Sequence, residues 1–130
     1  MTRRSPHRHT AVLYLHVNSQ QNSYLPSPFE QLEACQRIAA KYGLTIVREY
    51  VDHGETVQLS HQAGLRQLLD DLTRQQDAAC VLVWHNGHLA RDEAQAQAVL
   101  NVIHQAGADV VSVTDIEAAE QLAKGHAVTA

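Results

Sequence analysis

The chain has 130 residues, 45% of them hydrophobic, which is enough for one domain with a buried core and too few for two. Ten Lys and Arg stand against fourteen Asp and Glu, and Arg3, Arg4 and Arg8 sit in the first ten residues, so the remainder carries twice as many acids as bases. A surface that grips DNA phosphates has the opposite balance, so tight autonomous DNA binding is not expected. Nor does any stretch approach the roughly 18 apolar residues that would span a bilayer.

Residues 1–10 are basic and are expected to form a flexible tail. The apolar run after them is short, is interrupted by His16 and lacks a small-residue cleavage site, so it does not read as a secretory leader. Ala11 to Ser19 reads instead as a buried strand opening into a polar loop over Gln20 to Leu25. Strand alternation places Tyr14, His16 and Asn18 on one face, where the functional pocket is expected.

Ser27-Pro28-Phe29-Glu30 is a helix start: Ser at the N-cap, Pro at the first helical position and Glu three residues past the cap. Phe29, Leu32, Cys35, Ile38, Ala39 and Tyr42 follow at helical spacing, and Gly43 ends the helix. Leu44 to Val51 is β-branched and aromatic but carries Arg48 and Glu49, as a strand near a sheet edge can. Asp52 to His61 is a long polar loop, and Leu65, Leu68, Leu69 and Leu72 mark a second amphipathic helix closing near Gln76. Ala79 to Trp84 has no polar interruption, the pattern of a central parallel strand covered on both faces. His85 to Asp92 is the loop leaving it, and Glu93 to Ala106 is a third helix with Val99, Val102, Ile103 and Ala106 inward. Asp109 to Val113 is a short fourth strand. Thr114 and Glu117 form a second capping box for a last helix ending near Gly125.

The order βαβαβαβα implies an α/β fold: three layers, α/β/α, around a mostly parallel central sheet of four to five strands. The apolar first and third strands belong in the middle, giving strand order 2-1-3-4. Its direction reverses between strands one and three, and ligands of open α/β sheets bind beyond the C-terminal strand ends at such a switch point. Cys35 and Cys80 lie in apolar periodic segments and read as small buried hydrophobes, in keeping with a reducing, cytoplasmic setting.

Several blocks recur in the order of a known family. Tyr14-Leu15-His16-Val17-Asn18-Ser19 looks like Tyr-x-Arg-Val-Ser-Ser/Thr, and Ser27 to Ala39 is similar to a Ser-x-x-x-Gln-x-x-x-Cys helix. Tyr50-Val51-Asp52-His53-Gly54, Gly64-Leu65, Val83-Trp84 through Leu89-Ala90-Arg91-Asp92, and Val111-Ser112-Val113-Thr114 continue the match. From about Ala11 to Asp115 the chain resembles the catalytic domain of serine recombinases of the resolvase/invertase type, and residues 11–125 are read as a resolvase-like domain.

The resemblance implies which positions carried chemistry, and most of them are changed. The serine that attacks a DNA phosphate corresponds to Asn18, whose amide cannot be deprotonated to a useful nucleophile near neutral pH. The arginines that hold the scissile phosphate correspond to His16, Gln62 and His88, the last in a Gly87-His88 pair where the family has Asp-Arg; Arg91 alone is kept. A neutral His or Gln does not replace a bidentate guanidinium, and each lost preorganised donor raises a barrier by roughly 3–4 kcal/mol. No intact catalytic set is therefore expected. Ser19 is the alternative nucleophile, although alternation points it away from His16. Tyr14, Gln31, Asp52, Gly54 and Gly64 match the family and are explained by the fold, through hydrogen bonds, turns and close approach.

Nine histidines are present, and His16, His85 and His88 are expected near the crevice with His53 and His61 on the adjoining loop. Their spacing is not a metal signature, so neither a resident metal nor a cofactor is expected. Neutral imidazoles there would gain charge, and weak anion affinity, as pH falls toward about 6.5. Family members continue into a long helix and a DNA-binding module; here no separate DNA-binding domain is expected. The expectation is a recombinase-like domain without strand cleavage that works as an interaction or regulatory module, its partner a second copy or an active recombinase relative. Two alternatives stand beside it: an active DNA recombinase domain using Ser19 or parts supplied in trans, and a small-ligand or metal-binding domain using the His-lined crevice.

Overall fold

The computed structural model describes residues 8–17, 27–54, 62–85, 87, 89 and 92–129, with side chains through 124. Four strands, β1 (Thr10–Val17), β2 (Thr45–His53), β3 (Cys80–Val83) and β4 (Asp109–Ser112), alternate with four helices, α1 (Pro28–Lys41), α2 (Ala63–Gln75), α3 (Glu93–Gln105) and α4 (Val113–Thr129). All three strand pairings are parallel and the order is β2-β1-β3-β4. Among the described residues the sheet has four strands and no fifth.

The sheet faces divide the core in two. Val12 and Tyr14 of β1 and Val81 and Val83 of β3 pack under Leu65, Leu68 and Leu72 of α2 and Val99 and Ile103 of α3. On the other face, Leu13, Leu15 and Leu82 meet Ala34, Cys35, Ile38 and Ala39 of α1 and Val113 at the start of α4. Every residue of β3 is buried, as a strand covered on both sides requires.

The α1 start has both reciprocal bonds of its capping box: Glu30 N–H donates to Ser27 Oγ at 3.1 Å, and Ser27 N–H donates to Glu30 Oε1 at 3.0 Å. At the other end Gly43, at φ +70°, takes the left-handed conformation that lets Leu44 N–H return to the Ala39 carbonyl at 2.8 Å. Burial pulls Cys35 to about 12 and Cys80 to about 11, so both thiols stay protonated.

Several boundaries differ from the sequence expectation. Phe29 and Tyr42 are exposed, at 66% and 51%, rather than part of the buried face of α1. That face is Gln31, Ala34, Cys35, Ile38 and Ala39, and at 3.6 residues per turn Phe29 falls on the opposite side. Tyr42 lies just past the last turn and donates its hydroxyl to Glu120 of α4 at 2.9 Å. Thr10, expected in the tail, is the first residue of β1, and β2 runs on to His53, so Asp52 belongs to a strand and not to a loop. The capping box expected at Thr114 does not open α4, because β4 passes directly into the helix at Val113. Thr114 N–H instead donates to the Trp84 carbonyl at 3.1 Å, and the helix continues past Gly125 to Thr129. Residues 1–7 of the expected tail, the loop at 20–25 and residues 55–61 of the loop expected from Asp52 to His61 lie outside the described residues.

Candidate functional site

The observed strand order puts the switch point at the C-terminal ends of β1 and β3. Tyr14 pairs with Val83, so β3 ends there while β1 runs on to Val17, and Gly87 lies on the segment that follows β3. On the other side β1 pairs with β2, His16 opposite Asp52, and the β1 end is held there by Gly54 N–H donating to the Val17 carbonyl at 2.9 Å.

The centre of this end of the molecule is a buried hydrogen-bond network. The Tyr14 hydroxyl donates to Asp52 Oδ2 at 2.8 Å and accepts from Gln62 Nε2 at 2.8 Å. Asp52 also receives the N–H groups of Gly64, at 2.7 Å to Oδ1, and Leu65, at 2.9 Å to Oδ2. Those amides open α2, and α2 has no side-chain cap from its own N-cap residue, Gln62. A carboxylate from the neighbouring strand therefore caps the helix, where the free amides and the helix dipole favour negative charge. The arrangement needs glycine at 64: a Cβ there would lie 3.0 Å from both Asp52 Oδ1 and the Val51 carbonyl oxygen.

The side chains of the network are closed to solvent. Tyr14 and Gln62 are wholly buried, and Asp52 and His16 are 7% and 6% exposed. Burial raises the Tyr14 phenol well above its ordinary pKa of 10.0, with the Asp52 carboxylate raising it further against the lowering effect of the Gln62 amide. Tyr14 is thus a fixed neutral donor, not an acid. Gln31, on the opposite sheet face in α1, is also buried.

Of the positions expected to carry chemistry, the structure brings Tyr14 and Gln62 into direct contact and places His16 two residues further along the same face of β1. Gly87 is exposed, and its N–H donates to His85 Nδ1 at 2.9 Å. A Cβ on Gly87 would meet that same nitrogen at 2.9 Å. Asn18, Ser19, His61, His88 and Arg91 lie outside the described residues. Among the described residues no group of three or more His, Cys, Asp or Glu could hold a metal ion, and no helix is long and apolar enough to cross a membrane. Sequence reasoning paired neither Gln62 with Tyr14 nor Asp52 with the start of α2. Its one pointer was the small Gly64 beside Leu65, the sign of a close backbone approach.

The sequence family described as "Resolvase, N terminal domain" matches residues 11–128. The chain belongs to this family. Its fold is that of solved serine recombinase catalytic domains. It is similar to the N-terminal catalytic domain of TP901-1 integrase, at 18% identity over 82% of this chain and 78% of that one, with a TM-score of 0.69. A resolvase family site-specific recombinase from Streptococcus pneumoniae aligns at 22% identity over 80% and 72% of the two chains, TM-score 0.63. The C-terminal catalytic domain of ISC1926 TnpA, an IS607-like serine recombinase, aligns at 20% over 80% and 68%, TM-score 0.66. No curated protein matches the sequence.

Proposed function

We propose that this resolvase-family domain keeps the fold of a recombinase catalytic domain without its strand cleavage, and acts in the cytoplasm as a non-catalytic interaction or regulatory module. It does so by self-association or by pairing with an active relative. The observation that carries this reading is the state of Gln62. Where the resemblance calls for a phosphate-holding arginine, a neutral amide is wholly buried and its Nε2 is spent on the Tyr14 hydroxyl. A side chain so placed offers no charge to a phosphodiester. Asn18 in the nucleophile position and His16 and His88 in place of arginines point the same way.

The test is incubation with supercoiled DNA, read for nicked product and for a covalent protein–DNA adduct. Neither is expected. An adduct mapped to Ser19 would overturn the proposal in favour of an active recombinase. Crosslinking with a co-expressed active recombinase, and sedimentation of the protein alone, then distinguish pairing with a relative from self-association.

A further inference from the structure

A second feature lies at the far edge of the sheet from the network and is independent of the reading above. Among the described residues nothing pairs with the outer side of β4. Asp109 N–H donates inward, to the Ala79 carbonyl at 3.0 Å. In a parallel ladder successive residues address alternate neighbours, so Val110 turns both its N–H and its C=O away from β3. Along that open edge runs a cleft of about 390 Å³ lined by Leu89, Ala96, Leu100, His104, Asp109 and Val110. Ala96, Leu100 and His104 recur at i, i+4 and i+8 and form one stripe of α3 over the cleft. Leu89, 3% exposed, also lines it. The polar end holds Asp109, whose side chain is 84% exposed and whose Oδ1 lies 3.6 Å from His104 Nε2.

We propose that this edge takes a short extended peptide by strand addition, with an aliphatic or aromatic side chain in the cleft and a Lys or Arg beside Asp109. The unpaired backbone groups of Val110 supply main-chain hydrogen bonds, and the apolar cleft beside them accepts a side chain from the same face of the added strand. Charge complementarity selects the occupant. Asp109 is an exposed carboxylate, and the neighbouring His104 offsets it only when protonated. A second copy of this chain presenting its own Asp109–Ser112 would bring another carboxylate and no cation, in a chain already at net charge −4. A basic extended segment meets both the edge and the charge.

The test uses an N-acetylated, C-amidated Lys-Leu-Thr-Leu-Lys peptide titrated into the ¹⁵N-labelled full chain. Shifts are expected at Val110, Ser112 and Leu100, with the Glu-Leu-Thr-Leu-Glu peptide binding at least about tenfold more weakly and Asp109→Asn narrowing that difference. Val110→Pro removes an outward N–H without removing a ladder bond, and Ala96→Trp fills the cleft from the helix side; each should weaken binding about tenfold or more. If Val110→Pro does not fold, Ala96→Trp decides alone. The proposal is overturned if no shifts appear at β4, or if the acidic peptide binds equally well. It is overturned likewise by a dimer that forms through β4 in place of peptide binding, or by phenethylamine saturating the cleft as tightly as the peptide with Val110→Pro without effect.

Discussion

Two tyrosine–aspartate hydrogen bonds tie β2 and its neighbour to α2, and they are built on opposite principles. At the inner end Tyr14 donates to Asp52, and the carboxylate is balanced by two amides at the start of α2. Two residues earlier on β2, Tyr50 donates to Asp71 at 2.7 Å while accepting from Arg48 Nε at 2.7 Å. Arg48 in turn grips Asp77 with both terminal nitrogens, at 2.6 and 3.0 Å, and Arg74 reaches Asp71 at 2.8 Å. The outer network is rich in guanidinium groups and partly wet; the inner one is dry and served by a glutamine. A carboxylate that guanidinium groups hold at a partly solvated site can be removed at modest cost. One held by backbone amides in the first turn of a helix cannot, because such amides have no intrahelical partner to return to.

The sharpest way to break that contrast is Asp52→Ala. It strands the Gly64 and Leu65 amides and the Tyr14 hydroxyl in a buried site, and the expected loss is about 3–5 kcal/mol by urea denaturation, a large part of a domain's stability. Asp52→Asn, which keeps one acceptor, should recover part of it. A loss under about 1 kcal/mol for the alanine variant would mean that water reaches these donors and the network is not dry.

Tyr14→Phe is the next step down. Asp52 keeps its two amides, while the Gln62 Nε2–H loses its acceptor in a fully buried site, for an expected loss of about 1–3 kcal/mol. The variant also reads the raised phenol pKa. A group that binds its proton more tightly when folded contributes stability in full below its unfolded value, here 10.0, and loses it as pH rises through the folded value. Stability of the native chain should therefore fall more steeply above about pH 10 than that of Tyr14→Phe, measured by denaturant midpoints from pH 8 to 11.

Most of the architecture was legible because it is written locally. The alternation of period-2 and period-3.6 segments, the Ser27 box and the uninterrupted Cys80–Val83 run each act within a few residues, and together they imply the strand order. Where neighbours decide, the local reading slipped. Thr114 has the composition of an N-cap, but β4 runs straight into α4 and its N–H goes to Trp84. Phe29 looked inward because it is large and apolar, whereas the buried stripe is centred on Cys35. The site divides the same way. Gln62 was visible as a departure from a family pattern, but its bond to Tyr14 joins residues 48 apart, and no periodicity encodes such a meeting. The cleft beside β4 is likewise a property of an edge and has no sequence motif.

Breaking the outer network tests the other half of the contrast. Asp77→Ala removes the bidentate partner of Arg48, both side chains being about a quarter exposed, and should cost about 1 kcal/mol or less, shrinking further in high salt. A loss as large as that of Asp52→Ala would show that solvation does not separate the two networks.

The smallest effect belongs to the exposed contact between α1 and α4, where Glu120 accepts from Lys41 and from Tyr42. The hydrogen bonds from Lys41 first, and Tyr42 second, hold the Glu120 carboxyl below the ordinary carboxylate range. A depressed carboxyl contributes stability above its unfolded pKa and loses it as pH falls through the folded value. The melting temperature of the native chain should therefore exceed that of Glu120→Gln by a small margin near pH 7, and the margin should close as pH is lowered past about 4. Because the contact is exposed, about 0.5 M salt should close most of the gap at neutral pH as well. A margin that persists at low pH and high salt would assign the hold of α4 on α1 to the apolar contacts of Val113 and Ile116 and not to this carboxylate.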